Sequence, residues 1–203
     1  MTKFFLGAAA GGIAWYLWQQ NQSGQAVDST ESWWNDVTDQ IAENVDPYIE
    51  SGNEDIQFMQ TSNMMKSMLK RREGLKLSRY RLGDGGWTLG YGRYFPDGGT
   101  VPPAAIDLAT AEAWFDEDLV AKGEKWVKLY IKVSLQQNQF DALASMAYNL
   151  KPSSFKKIAD AVNRGEDPEP VAMVFTRPGT NLEDGLINRR KHEMAVFNYG
   201  IYA

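Results

Sequence analysis

The sequence predicts an α+β fold: a helix ending at a Glu-Gly pair, a small glycine-turned β-hairpin directly after it, and then a succession of helices. Two observations carry this prediction. Met64, Met65, Met68 and Leu69 recur at helical spacing and make residues 63 to 72 a helix with one apolar face, whereas from Leu75 to Leu82 the side chains alternate as in a strand. From Pro102 to Tyr199 the apolar residues return to helical spacing in successive segments, the most apolar of them running from Leu135 to Leu150.

The chain begins with an unbroken apolar run, Phe4 to Trp18, rich in Gly and Ala, preceded by Lys3 and closed by Trp15, Tyr16 and Trp18. As a helix it reaches about 22 Å, short of the roughly 30 Å hydrocarbon core of a bilayer. The aromatic cluster has the character of an interfacial belt. A small-x-small site is only weakly represented, at Gly24 and Ala26, so a cleaved signal peptide is the least favoured reading. A membrane anchor and a terminal helix buried in a larger assembly stay open. In a membrane, Lys3 and the acidic tract beyond it favour a cytoplasmic N-terminus, with the rest of the chain on the far side.

Gln19 to Thr30 is a polar linker by composition. Residues 31 to 50 read as an acidic amphipathic helix: Ser32 can cap it, Trp34, Val37, Ile41 and Val45 share a face, and Asp46-Pro47 breaks it. It packs on the domain that follows or, through Trp33 and Trp34, docks on a partner. Ser51 to Asp55 is a second hinge.

With 203 residues, 43% of them apolar, and seven Trp, the chain can bury one core of ordinary size beside such an extension. No cysteine is present, which excludes a disulfide-stapled secreted fold. The net charge of −5 is uneven: residues 1 to 66 carry −7 and residues 67 to 203 carry +2. A mildly basic domain suits an anionic polymer. No basic stripe interleaves with aromatics, so nucleic acid is not a partner.

Glu73 falls in the last turn of the first helix, where Gly74 stops it and the exposed carbonyls disfavour added negative charge; a carboxyl so placed suits a general acid. Gly83 to Gly86 make a turn, and Trp87 to Tyr91 return as the second strand. Gly90 and Gly92 leave room for close approach to the backbone. Phe95 to Thr100 reads as another turn, and Pro102-Pro103 as the start of a helix through Val120, with Trp114, Phe115 and Leu119 in the core. Lys122 to Lys132 continues as helix. Leu135 to Leu150 places Phe140, Leu143, Ala144 and Ala147 on one side. Phe155 to Asn163, Pro170 to Phe175 and Gly185 to Tyr199 are the remaining helices.

In three ordered blocks the chain resembles the phage-type lysozyme family. Glu73, Gly74, Tyr80, Gly85, Thr88, Gly90 and Gly92 stand in register with its Glu-Gly motif, and QNQFDALASMAYNL (137 to 150) and GLINRRKHEMAVFNYG (185 to 200) follow in the family's order. The resemblance covers about residues 63 to 200. It implies a lysozyme-like domain of two lobes, a small β-hairpin lobe and a larger helical one, over residues 63 to 203. Ahead of it lie residues 1 to 20, a membrane-associating or signal-arrest segment of the kind some related phage enzymes carry, and residues 21 to 62, an acidic linker with its helix.

The resemblance also assigns roles. Glu73 is the general acid and Thr88 the family's third catalytic residue, while the position of the second, usually Asp and in some members Cys, is Leu82. The family His that closes the motif is Arg93. Asn149 matches a position that reaches the sugar chain, Arg189 the Arg beside the catalytic Glu, and Tyr80 the aromatic on the cleft wall. Read without the family, Asn149 is a helix cap, Arg189, Arg190 and Lys191 a solvated basic face, and His192 a surface residue.

Glycoside cleavage needs a proton for the leaving oxygen and something to meet the cationic sugar. Three solutions to the missing carboxylate stay open. Asp84, the only acidic residue between Glu73 and Thr88, lies about 6.6 Å along an extended strand from Leu82 and on its face, although an Asp before Gly commonly caps a turn. Thr88 can hold the water unaided. With no water, the sugar's own 6-hydroxyl attacks, as in a lytic transglycosylase. A virion wall-binding protein with a retired lysozyme fold is the non-enzyme alternative. The favoured expectation is a muramidase cleaving the β-1,4 bond between N-acetylmuramic acid and N-acetylglucosamine, with Asp84 in the second role and no metal or cofactor. Its partners are bacterial peptidoglycan and, through residues 1 to 50, membrane or virion proteins, at the host inner membrane and periplasm or on the virion.

Overall fold

The computed structural model describes residues 56–202, so the expectations for the apolar run, the linker and the acidic helix lie outside the described residues. In order, the elements are α1 (Asn63–Glu73), β1 (Lys76–Tyr80), β2 (Gly86–Gly90), β3 (Arg93–Pro96), α2 (Leu108–Leu119), a π turn (Val120–Glu124), α3 (Lys125–Tyr130), α4 (Gln137–Asn149), α5 (Pro152–Asn163), α6 (Glu169–Met173), a 3₁₀ turn (Val174–Thr176) and α7 (Glu183–Tyr199).

Helix α1 forms where the spacing predicts it and buries Met65, Met68 and Leu69. The Ser62 hydroxyl caps it by accepting from Met65 N, while Lys70, Arg71 and Arg72 in the last turn complement its C-terminal dipole. Gly74 ends it at φ 70°, a conformation that favours glycine. The folded part reaches back beyond Asn63: Met59 is 3% exposed, and Thr61 N donates to the buried Glu124 carboxylate at 2.8 Å.

The β-lobe holds the expected hairpin, β1 with β2, and a third strand beside it. The sheet is antiparallel in the order β1-β2-β3, with Tyr80 and Tyr94 both paired to Thr88, and Trp87 to Phe95. The turn expected from Phe95 to Thr100 is present at residues 97 to 99, but its first two residues belong to β3, a strand of four residues that the sequence did not reveal and that ends at Pro96, which has no N–H to extend the ladder. The expectation of a helix from Pro102 is also overturned. Residues 104 to 106 run along the outer edge of β1, where Arg79 N donates to Ala104 O (3.0 Å) and Ile106 N to Leu77 O (2.9 Å), so the prolines sit in an extended strap that covers an edge strand. Helix α2 starts only at Leu108, because Asp107 supplies the cap to Thr110 N at 2.8 Å.

The helical lobe is built around α4. The sequence places one apolar face on it, yet every residue from Phe140 to Ala147 is buried, including Asp141 and Ser145. Its neighbours close on it tightly: a Cβ at Gly123 of the π turn would lie 2.8 Å from Ala144 O, so only glycine lets that turn pack there. Asp141 accepts from Ser62 N (2.8 Å), Gln137 Nε2 (2.9 Å) and the Tyr202 hydroxyl (2.7 Å), which ties the first and last described segments to the central helix. Burial pushes its carboxyl above the ordinary range, and these donors work against that shift.

Candidate active site

Glu73 stands at the join of the two lobes because the last turn of α1 projects it there and Gly74 turns the chain away into β1. Its side chain is 23% exposed. One carboxylate oxygen, Oε1, accepts from Arg189 Nη2 at 3.1 Å. The other faces the β2–β3 turn: a Cβ at Gly92 would lie 3.8 Å from Oε2. That is an ordinary van der Waals distance, and what favours glycine at 92 is its φ of 88°.

Behind Arg189 lies a chain of charges. Arg189 Nε reaches Glu193 Oε1 at 3.4 Å, one turn along α7, and Ser145 Oγ on α4 donates to the same oxygen at 2.6 Å. Arg190 Nε lies 3.1 Å from Glu193 Oε2, and its Nη2 donates to Asn149 Oδ1 at 2.7 Å. Arg190 and Glu193 are both fully buried. Burial pushes the Arg190 guanidinium below its ordinary range, and the Glu193 charge opposes that shift. The expected solvated basic face is thus corrected: Lys191 is exposed, but Arg189 is 14% exposed and Arg190 is wholly enclosed, since Glu193 lies three and four residues on. That spacing was the available signal for Glu193.

Tyr148, next to Asn149, packs on Phe115 with ring centroids 6.1 Å apart. Burial first, and then the charge of Glu73, holds its hydroxyl well above the usual tyrosine range, so it stays protonated.

On the sheet, Thr88 sits in the middle of β2, 4% exposed, with Tyr80 and Tyr94 beside it on the same face. Leu82 is 69% exposed. Asp84 is exposed in the β1–β2 turn beyond the Tyr80–Thr88 pair, and its backbone carbonyl accepts from the Tyr94 hydroxyl at 2.9 Å. This is the end of the sheet away from Gly92 and the Glu73 carboxylate, and the structure records no contact between Asp84 and Glu73. Glu73, Arg189, Arg190 and Asn149 thus form one cluster connected through Glu193, while Thr88, Tyr80 and Asp84 belong to the β-lobe.

Arg93, in place of the family His, forks onto Asp118 through Nε and Nη2, both at 3.0 Å, and also meets Glu117 at 3.0 Å and Trp114 O at 2.8 Å. It fastens the end of the sheet to α2. His192 is not the surface residue expected: it is half-buried, and its Nδ1 lies 2.6 Å from Arg72 Nη2. Burial, with the Arg72 charge, pushes its pKa down, so the neutral ring accepts from the guanidinium. Among the described residues no group of His, Cys, Asp and Glu could hold a metal ion.

The family model described as phage lysozyme matches residues 70–193. The endolysin of Bacillus phage PZA is 34% identical over 148 residues, which is 70% of this chain and 56% of that protein, so the chain spans little more than half the length of that relative. Among solved structures, the endolysin from Escherichia coli O157:H7 phage FAHEc1 superposes with a TM-score of 0.61 at 28% identity, covering 72% of this chain and 98% of that one. The muramidase domain of SpmX from Asticaccaulis excentricus does so with a TM-score of 0.58 at 28% identity, covering 68% and 97%.

Proposed function

The chain belongs to the phage lysozyme family, and we propose that it is a peptidoglycan-degrading muramidase that cleaves the β-1,4 bond between N-acetylmuramic acid and N-acetylglucosamine during phage infection. The observation that carries the proposal is the partly exposed Glu73 carboxyl at the join of the lobes, one oxygen held by Arg189 and the other turned towards Gly92. An acid fixed in this way delivers a proton to the glycosidic oxygen, and Asn149, anchored by Arg190, contacts the same glycan. Tyr80 lines the opposite wall. Turbidity clearing of a peptidoglycan suspension tests the activity and separates an enzyme from a wall-binding virion protein.

For the second role our reading is hydrolysis, with Asp84 holding the attacking water and Thr88 contributing from the cleft wall. Asp84 is the only acidic side chain between Glu73 and Thr88. Asp84→Asn then lowers the rate by about 10²–10⁴-fold, Leu82→Ala does little, and Leu82→Asp partly restores the Asp84→Asn enzyme. A second reading draws support from the exposed Leu82 and from the place of Asp84 at the far end of the sheet: Glu73 alone acts as acid and base, and the 6-hydroxyl of the sugar attacks. Mass spectrometry of the released muropeptides separates the two, since hydrolysis leaves a reducing muramic acid and transglycosylation leaves the anhydro form, one water lighter. Anhydro products with an unaffected Asp84→Asn enzyme would replace the hydrolase reading.

The site of action we propose is the host inner membrane and periplasm or the virion, with residues 1 to 50 as the segment that meets membrane or virion proteins. No helix among the described residues is long and apolar enough to cross a membrane. The anchor we propose is the apolar run at Phe4 to Trp18. Deleting residues 1 to 20 is expected to move the protein from the membrane fraction to the soluble one with lytic activity retained. Full-length protein floating free of membranes in a sucrose gradient would favour the assembly reading.

A further inference from the structure

Glu193 is fully buried and meets both arginines of α7. Through Oε1 it holds Arg189, whose other end reaches Glu73 (3.1 Å); through Oε2 it faces Arg190, whose other end reaches Asn149 (2.7 Å). Ser145 on the central helix donates to Oε1 at 2.6 Å, which fixes the carboxylate to the part of the lobe that is buried on every side. Arginine side chains are long and lose much rotamer freedom when held in one place. The two here are adjacent in sequence and have like charge, so without an anion between them they repel and swing apart. With it, one guanidinium points towards the cleft floor at Glu73 and the next towards the end of α4.

We propose that Glu193 is a positioning residue for glycan cleavage: a single buried carboxylate sets Arg189 against Glu73 and Arg190 against Asn149, so that the acid and the glycan contact are registered to each other by one group. The proposal rests on the muramidase reading of Glu73. It assigns separable effects to the two arms. The Arg189 arm governs the chemical step, because it orients the proton donor, and the Arg190 arm governs substrate retention, because it orients Asn149.

The test compares Arg190→Met with Arg190→Met/Glu193→Met on soluble peptidoglycan strands, where kcat and KM are measured separately. In the double variant no buried charge is left unpaired, so it retains a folded core, checked by near-ultraviolet circular dichroism and a cooperative thermal transition. Arg190→Met is expected to raise KM and keep kcat, since Glu193 still holds Arg189. The double variant is expected to lose kcat by a further factor of about 10 to 100, the scale on which a displacement near 1 Å at a reacting group is felt. Equal kcat in the two folded variants would overturn the proposal. Ser145→Ala, which removes only a hydroxyl, gives a second reading in case the double variant does not fold: a several-fold fall in kcat with unchanged KM supports the positioning role, and unchanged kcat removes it. Glu73→Gln is run alongside. If that variant keeps parental activity, the muramidase reading itself fails; if it is inactive while the Glu193 pair shows no difference, only the positioning role fails.

Discussion

Glu73→Gln is expected to abolish the clearing of peptidoglycan while the thermal transition of the protein stays where it was. The amide keeps the volume of the carboxyl and an oxygen that can accept from Arg189 Nη2, now at 3.1 Å from Oε1. The transferable proton is lost, together with the charge that Glu73 brings to its ion pair with Arg189. Positioned acids contribute about 10²–10⁴-fold, and among the described residues no second carboxylate is recorded in contact with Glu73. A turbidity assay reads a loss of this size directly. Clearing at the parental rate would remove Glu73 from the role of acid and, with it, the reading of the cleft as a muramidase site.

The largest effect on stability is expected from Glu193→Met alone. It leaves the Arg190 charge enclosed, fully buried and with its nearest anion gone, and removing one partner of such a pair costs about 3–5 kcal/mol. The Ser145 hydroxyl loses its acceptor at the same time. Arg190→Met added to Glu193→Met is expected to restore most of the loss, because replacing both members of a buried ion pair by apolar side chains of similar size is often close to neutral. Urea unfolding of the two variants beside the parent measures the difference. A Glu193→Met protein as stable as the parent would mean that the Arg190 charge finds another partner or water.

How far the sequence reaches is clearest in α7. Its helical spacing is legible, and the motif in which Arg189 stands is in register with the family, so the expectation that this Arg lies beside Glu73 came from the sequence. What faced the next residue did not. A period of 3.6 states which side chains share a face of a helix, not what is packed against that face. Arg190 reads as solvated until α4 is laid against α7 and Glu193 is enclosed with it. Helix α4 makes the same point: one apolar stripe was visible, but neighbours on every side bury Asp141 and Ser145 as well.

The β-lobe divides along similar lines. The change of period at Gly74, the glycine turn and the return strand are local, so they were readable. Strand β3 was not, because Tyr94 and Phe95 suit a strand but a segment of four residues ending in proline is too short to show a period, and it is fixed as a strand by pairing with β2. The prolines at 102 and 103 were placed in a helix by a local rule that the edge of β1 overrides, since an uncovered strand gains hydrogen bonds from the strap that Asp107 then ends. The sequence by itself determined the family, the Glu73 carboxyl at a helix end and the run of helices, all of which depend on near neighbours or on motifs in order. The tertiary structure alone decided which charges are enclosed and which partner each meets, because desolvation and pairing are set by atoms brought together from distant parts of the chain.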